Sequence, residues 1–410
     1  MGETKVTEIV KLLVVVAVII FLIRKKWNLE YTILLASLLV GVFFGLSPVQ
    51  MGENIIFALI DPTTLRLMGI IVLVYILSGV LRKVESLKDL TDSLGQLVKD
   101  YRLILAFIPA LLGLIPMPAG AMFSAPMVKE IGDREGLTGE ENTFVNYWFR
   151  HVWEFVWPLF PGMILFAGLL QVEIQEVILI QFPLTIMAII VGFIWEYKNL
   201  RKVITPVNKK AILLNLKKLF FGVWPILLII ILVLAVNLDL LLSLILVILS
   251  LFILNFPKFK LPIVKKIIKN DVDLNVVILI ASIMIFQRIL QASGGIEVIP
   301  EVFTKLGVHP YLVLFSIPFF IAAMTGVTTA AIGIGLPVLL PIIIQGEANL
   351  YYAMLAFTGN YIGVMISPMH LCLVVTKNYF KVDMGKVYKI LILPLAIITL
   401  SAFILVMVRT

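Results

Sequence analysis

Apolar positions gather into long runs at about 9–23, 31–47, 65–81, 143–170, 177–195, 219–236, 240–254, 274–290, 351–376 and 387–408. A helix rises 1.5 Å per residue, so about 20 residues cross the ~30 Å hydrocarbon core of a bilayer. The runs therefore predict ten crossings. Two further apolar segments are broken. Residues 103–131 are interrupted at Ile115-Pro116-Met117-Pro118-Ala119-Gly120, and residues 311–344 at Thr325-Gly326-Val327-Thr328-Thr329. The limbs hold 11–15 residues, or roughly 17–23 Å of helix, short for a crossing. Both are expected to be re-entrant hairpins, each entering and leaving on one side. Non-helical backbone at membrane depth is tolerated only where protein or a polar cavity satisfies it.

Composition agrees with that pattern. Of 410 residues, 61% are apolar and 14% charged, with a mean hydropathy of +1.09. A soluble domain is roughly 45–50% apolar and ~25% charged. A single soluble core is excluded, and so is disorder, which needs low hydrophobicity. The first run is not expected to be a secretory signal, because acids precede it and Arg24-Lys25-Lys26 follows directly.

The net charge of +8 could suggest nucleic acid, but its distribution says otherwise. With the N-terminus outside, 26 Lys and Arg fall in the inner loops and 5 on the outer side. That asymmetry is the usual bias of cytoplasmic loops. The expectation is a multi-pass cell-membrane protein with both termini outside, the lipid bilayer as partner and no nucleic-acid partner.

The chain also repeats itself. Asn28-Leu29-Glu30 recurs as Asn237-Leu238-Asp239, Ile108-Pro109 as Ile317-Pro318, and Val172-Glu173 as Val382-Asp383; Pro126 maps to Pro337 and Pro158 to Pro368. The offsets stay between 209 and 211. The predicted fold is thus an all-α polytopic membrane protein of two inverted repeats, each with five transmembrane spans and one re-entrant helical hairpin. Residues 1–195 form the first repeat, with hairpin 103–131 and broken helix 143–170. Residues 196–218 form a basic cytoplasmic linker. Residues 219–410 form the second repeat, with hairpin 311–344 and broken helix 351–376. Inverted repeats with discontinuous helices are typical of secondary transporters, whose substrate sits near the midplane.

Candidate chemistry lies at the breaks. A broken helix exposes N–H groups at one stub and carbonyls at the other. Pro158 and Pro161 break the first such helix and Pro368 the second. Prolines also merely kink membrane helices, but their matching positions favour breaks. The first broken helix carries Arg150, His151 and Glu154, and ionisable residues in an apolar run mark function by default. Arg150 can hold a substrate carboxylate bidentately while Glu154 or His151 carries a coupled proton. Alternatively Arg150 and Glu154, at i,i+4, form a buried structural pair, or Arg150 snorkels. The second broken helix offers Asn360, Ser367 and His370, and the second hairpin tip Thr325, Gly326, Thr328 and Thr329. Hydroxyls, an amide oxygen and freed carbonyls suit Na⁺, with Glu154, Thr325, Thr328 and Asn360 as the coupling candidates. Ser and Thr are also ordinary packing residues between membrane helices. The first tip has Ser124 as its hydroxyl and contributes mainly backbone around Pro118, Ala119 and Gly120. Cys372, the single cysteine, excludes a disulfide and a zinc site built from cysteines, and it is expected to be packing. The histidines lie far apart in sequence; neither metal nor cofactor is expected.

The Pro-Met-Pro-Ala-Gly-Ala-Met stretch at 116–122, together with Gly359-Asn360-Tyr361 and Ser367-Pro368-Met369-His370-Leu371-Cys372, resembles the ion-transporter superfamily of citrate, dicarboxylate and gluconate permeases. Within it the chain looks most like a poorly characterised prokaryotic membrane family related to gluconate permeases. The layout similarity covers nearly the whole chain; the motif similarity covers two short segments. The resemblance implies an elevator-type homodimer, with scaffold spans and moving hairpin units, and interfacial arm helices near 86–99 and 296–306. Dicarboxylate members carry Ser-Asn-Thr at the hairpin tips. This chain has neither copy, so Thr325 and Thr328 correspond by position alone.

The expected function is secondary active transport of a small organic anion, a carboxylate, coupled to Na⁺ or H⁺. The alternative is a cation/proton antiporter of the same superfamily, with Glu154 as the exchanging carboxylate. No enzyme is expected, since no His-Glu-x-x-His motif or Ser–His–acid set stands out. No P-loop accompanies the longest inner loop of about 20 residues, which argues against an ATP-driven pump.

Overall fold

The computed structural model describes residues 2–84, 100–115, 120–200, 212–295 and 307–409. Pro118 and Ala119, the arm segments 86–99 and 296–306, and residues 201–211 of the expected linker lie outside the described residues.

The described chain is all-helical apart from a two-residue antiparallel ladder, Ile344–Gln345 with Glu347–Ala348. The helices are α1 (Gly2–Arg24), α2 (Leu29–Phe43), α3 (Pro48–Ile60), α4 (Pro62–Lys83), α5 (Tyr101–Gly113), α6 (Ala121–Arg134), α7 (Gly139–His151), α8 (Pro161–Leu170) and α9 (Ile174–Asn199). Then follow α10 (Ile212–Ile230, prolonged by one π-helical turn), α11 (Leu240–Leu254), α12 (Leu261–Asp271), α13 (Leu274–Ala292), α14 (Pro310–Thr325), α15 (Thr328–Ile343), α16 (Leu350–Ile366), α17 (Leu371–Tyr379) and α18 (Met384–Arg409).

Five helical stretches among the described residues are long and apolar enough to cross a membrane: Pro62–Lys83, Ile174–Glu196, Leu274–Ala292, Leu350–Tyr379 and Met384–Arg409. Other apolar helices are shorter, such as the 15-residue Leu29–Phe43 and Leu240–Leu254. Polar caps explain several starts. Ser47 with Gln50 and Thr138 with Glu141 form capping boxes. Asp61 accepts from the Thr63 and Thr64 N–H groups ahead of α4, and Asn349 from Tyr351 and Tyr352 ahead of α16.

Helix lengths in the two halves correspond. Helices α9 and α18 each run 26 residues, beginning at Ile174 and Met384. Left-handed residues recur too, Lys26 with Asn237 and Gln171 with Lys381. The outward faces of α9 and α18 are greasy: Leu179, Phe182, Ile186, Ile190 and Ile194 are exposed on one, Ile392, Leu400, Ile404 and Met407 on the other. Spaced three to four apart, or a multiple of that, they make a stripe that suits lipid rather than water.

Aromatic residues fill the centre. Phe155 lies 4.4 Å from Tyr361 and Phe166 lies 5.0 Å from Phe357, ring centre to ring centre. Phe155, in the interruption between α7 and α8, and Phe166, in α8, thus both pack against α16.

Candidate functional site

Helix α7 ends at His151, and turns carry the chain through Pro158 to Pro161, where α8 starts. In the second half α16 ends at Ile366, and Ser367-Pro368-Met369-His370 leads into α17. Pro368, two residues past the end of α16, lacks the N–H that would continue that helix, whereas α7 ends seven residues before Pro158. Glu154 lies in the turns at 152–156, and the i,i+4 helical geometry expected to pair it with Arg150 does not apply.

A helix C-terminus leaves its last carbonyls without intrahelical partners. At the end of α5 the first broken helix supplies them. The Trp153 indole N–H donates to the Ala110 carbonyl at 3.0 Å, Arg150 Nη1 to Leu112 at 3.0 Å, and the Trp157 indole to Leu114 at 2.7 Å. The Arg150 guanidinium also lies directly against Gly120, so a side chain there would displace it. Arg150 thus bridges the two limbs on either side of the first tip. The second half repeats the scheme with smaller groups: Ser367 Oγ donates to the Ala323 carbonyl at 2.7 Å, and His370 Nδ1 meets the Gly326 carbonyl at 2.9 Å. Gly326 is left-handed (φ +68°), and a Cβ there would stand 2.6 Å from the His370 nitrogen.

Between the breaks lies a cavity of about 300 Å3. Of the residues singled out from the sequence, Arg150, His151, Glu154, Gly326, Thr328, Thr329 and His370 line it. Three helices begin on its wall: α8 at Pro161, α15 at Thr328 and α17 at Leu371. A helix N-terminus carries free N–H groups and a partial positive charge. Arg150, His151 and Glu154 are all buried, at 7%, 3% and 8% exposure.

Five expected residues lie outside its lining: Gly120, which packs against Arg150 as described, and four others. Thr325 borders a separate crevice beside Ile19 and Ile20 of α1, and its hydroxyl accepts from the Val327 N–H. Ser124 is buried and donates to the Ala121 carbonyl at 3.3 Å. Ser367 acts as the cap described above. Asn360 is 1% exposed, and neither amide atom has a hydrogen-bond partner among the described residues.

The sequence reading missed Tyr75, Trp153, Trp157 and Cys372, all on the cavity wall. It also separated His151 from His370, whose Nε2 atoms stand 3.1 Å apart. The spacing His370-Leu371-Cys372 directly after a helix break was the available signal for the cysteine.

The family model described as protein of unknown function (DUF401) matches residues 6–409. The chain belongs to that DUF401 family. No curated protein matches it. The functional reading of this DUF401 chain therefore rests on its own geometry.

Proposed function

We propose that this chain is a secondary active transporter that moves a small organic anion, a carboxylate, coupled to Na⁺ or H⁺. The carrying observation is the cavity lined by the starts of three helices and by the buried Arg150. Helix N-termini and arginine both favour a carboxylate, and burial strengthens the attraction by excluding water.

In this reading the two halves are inverted repeats and the pairs α5–α6 and α14–α15 are re-entrant hairpins. Limb lengths support it: 13 and 14 residues in the first pair, 16 and 16 in the second, are short of a full crossing. Long-range ion pairs support it as well. Arg66 pairs with Asp239, both assigned outside; Arg82 with Asp271 and Lys386 with Glu140, all assigned inside. Kinship with the ion-transporter superfamily, an elevator-type movement and a homodimer belong to the same proposal.

Uptake by proteoliposomes tests the function, using a panel of carboxylates with imposed Na⁺ or pH gradients. Saturable uptake driven by one gradient is expected, and Arg150→Lys should lower it strongly, because a point charge cannot reproduce the planar fork. Gradient-driven cation/proton exchange with no carboxylate uptake would replace this reading with the antiporter. Thr328→Ala with Thr329→Ala should weaken Na⁺ dependence if Na⁺ is the coupling ion, since both face the cavity and Thr325 does not. For topology, Cys372→Ser gives a cysteine-free background. Single cysteines placed at both ends of each hairpin should then label from one side.

A further inference from the structure

His151 closes α7 in the first half, and His370 precedes α17 in the second. Each has one ring nitrogen on a backbone carbonyl: His151 Nδ1 meets Tyr147 O at 2.6 Å, and His370 Nδ1 meets Gly326 O at 2.9 Å. A carbonyl only accepts, so both Nδ1 atoms carry the proton and each neutral ring presents a bare lone pair at Nε2. Those two Nε2 atoms face each other at 3.1 Å. Two lone pairs at that distance repel unless a cation stands between them.

A third donor stands with them. The Cys372 sulfur and the two imidazole nitrogens lie within 4.8 Å of one another. Glu154 Oε1 is 3.8 Å from His151 Nε2. Two nitrogens bound at 2.0–2.1 Å to a tetrahedral ion are about 3.3 Å apart, close to the separation observed. The carbonyls on Nδ1 fix the tautomer and ring orientation, as partners behind metal-binding histidines do.

We propose that His151, His370 and Cys372 bind one divalent transition-metal ion of the zinc class, with the Glu154 carboxylate beside His151. The donor types decide the class. Imidazole and thiolate suit zinc-like ions, whereas Na⁺ and Mg²⁺ take oxygen ligands. Charge agrees with a divalent ion: the thiolate offsets one positive charge as a ligand, and the Glu154 carboxylate, 3.8 Å from His151 Nε2, offsets a second from beside the site. The thiol proton leaves to solvent as the ion binds. Such an ion fastens α7 of the first half to the start of α17 in the second. The inference does not rest on the transport reading.

Cobalt titration of the tag-free protein in detergent tests it. The expected result is one Co²⁺ per chain, with a thiolate-to-cobalt charge-transfer band in the near ultraviolet and the intense visible bands of four-coordinate cobalt, both displaced by Zn²⁺. Mg²⁺ should not compete. Because the chain has one cysteine, the charge-transfer band can come only from Cys372, and Cys372→Ser should abolish it. His151→Gln and His370→Ala should each weaken Co²⁺ binding about ten-fold or more. His309→Ala, which alters the remaining histidine, should leave it unchanged. A folded wild type without the charge-transfer band overturns the proposal and leaves a proton shared between the imidazoles. Undiminished affinity in folded His370→Ala overturns it too. If one variant fails to fold, the wild-type band still decides. No gradient or substrate is involved, so failure of the transporter reading is distinguishable from failure of this one.

Discussion

The two broken helices solve one backbone problem with different chemistry. Trp157 and Ser367 each precede the proline of their break, and each donates to a carbonyl near the end of the preceding apolar limb, Leu114 and Ala323. The first half uses bulky donors, Trp153, Trp157 and Arg150, whereas the second uses a hydroxyl and an imidazole. Large donors fill the space between limb and break. Small donors let the second tip approach until Gly326 touches the backbone at Met369 and His370. The positive charge of the site is thus held by one half, and a close-packed, uncharged tip by the other. The two breaks can differ in this way because a helix end requires only a donor, and any side chain that supplies one will serve.

The largest expected effect tests the closest backbone crossings. A Cβ at Gly113 would stand 3.2 Å from the Arg150 carbonyl carbon, and one at Gly359 would stand 2.9 Å from that of Phe315. The glycine sits on the limb in one half and on the broken helix in the other. Gly113→Val and Gly359→Val should each cost about 3 kcal/mol in denaturant unfolding of the purified protein, because backbone cannot yield as a flexible side chain does. A tolerated change in either half would show that its limb and break are not in contact.

Arg150→Met comes next. It leaves the Leu112 carbonyl without its charged donor, for an expected loss of about 1.5–3 kcal/mol. The double change Arg150→Met, Glu154→Leu should not restore stability, since Arg150 serves a carbonyl. Full recovery would return the pair to the structural role considered from the sequence.

Trp157→Phe and Ser367→Ala sharpen the correspondence itself. Each removes one donor from an equivalent carbonyl, and each should cost about 1 kcal/mol. Equal losses would mark the two bonds as counterparts. A silent Ser367→Ala would mean that backbone geometry alone is shared.

The smallest effect lies outside the site, where Lys386 Nζ reaches Glu140 Oε1 at 2.9 Å and joins the last helix of one half to α7 of the other. That hydrogen bond holds the Glu140 carboxyl below its ordinary value of 4.5. A lowered carboxylate stabilises the fold above the ordinary value and loses that contribution as pH falls through the lowered one. The thermal-unfolding difference between wild type and Glu140→Gln should therefore be small near neutrality and vanish in acid. A difference that grows as pH falls would contradict the pairing.

Much of the architecture was legible in the chain because its causes are local. Of the ten hydrophobic runs, five form helical stretches long and apolar enough to cross among the described residues, and proline removes a backbone donor wherever it stands, so Pro158, Pro161 and Pro368 marked the broken segments. Arg150, His151, Glu154, Thr328 and His370 stood out as polar groups that an apolar segment carries only at a cost. Only the tertiary structure decided their partners. Thr325 and Thr328 are three residues apart, yet the left-handed turn at Gly326 sends one to a crevice beside α1 and the other to the cavity. His151 and His370 are separated by 219 positions and meet at 3.1 Å because the two helix breaks pack together. The physical reason is range: helix formation and breaking depend on neighbours within a few residues, whereas a binding site depends on where distant segments pack, and no local pattern encodes that distance.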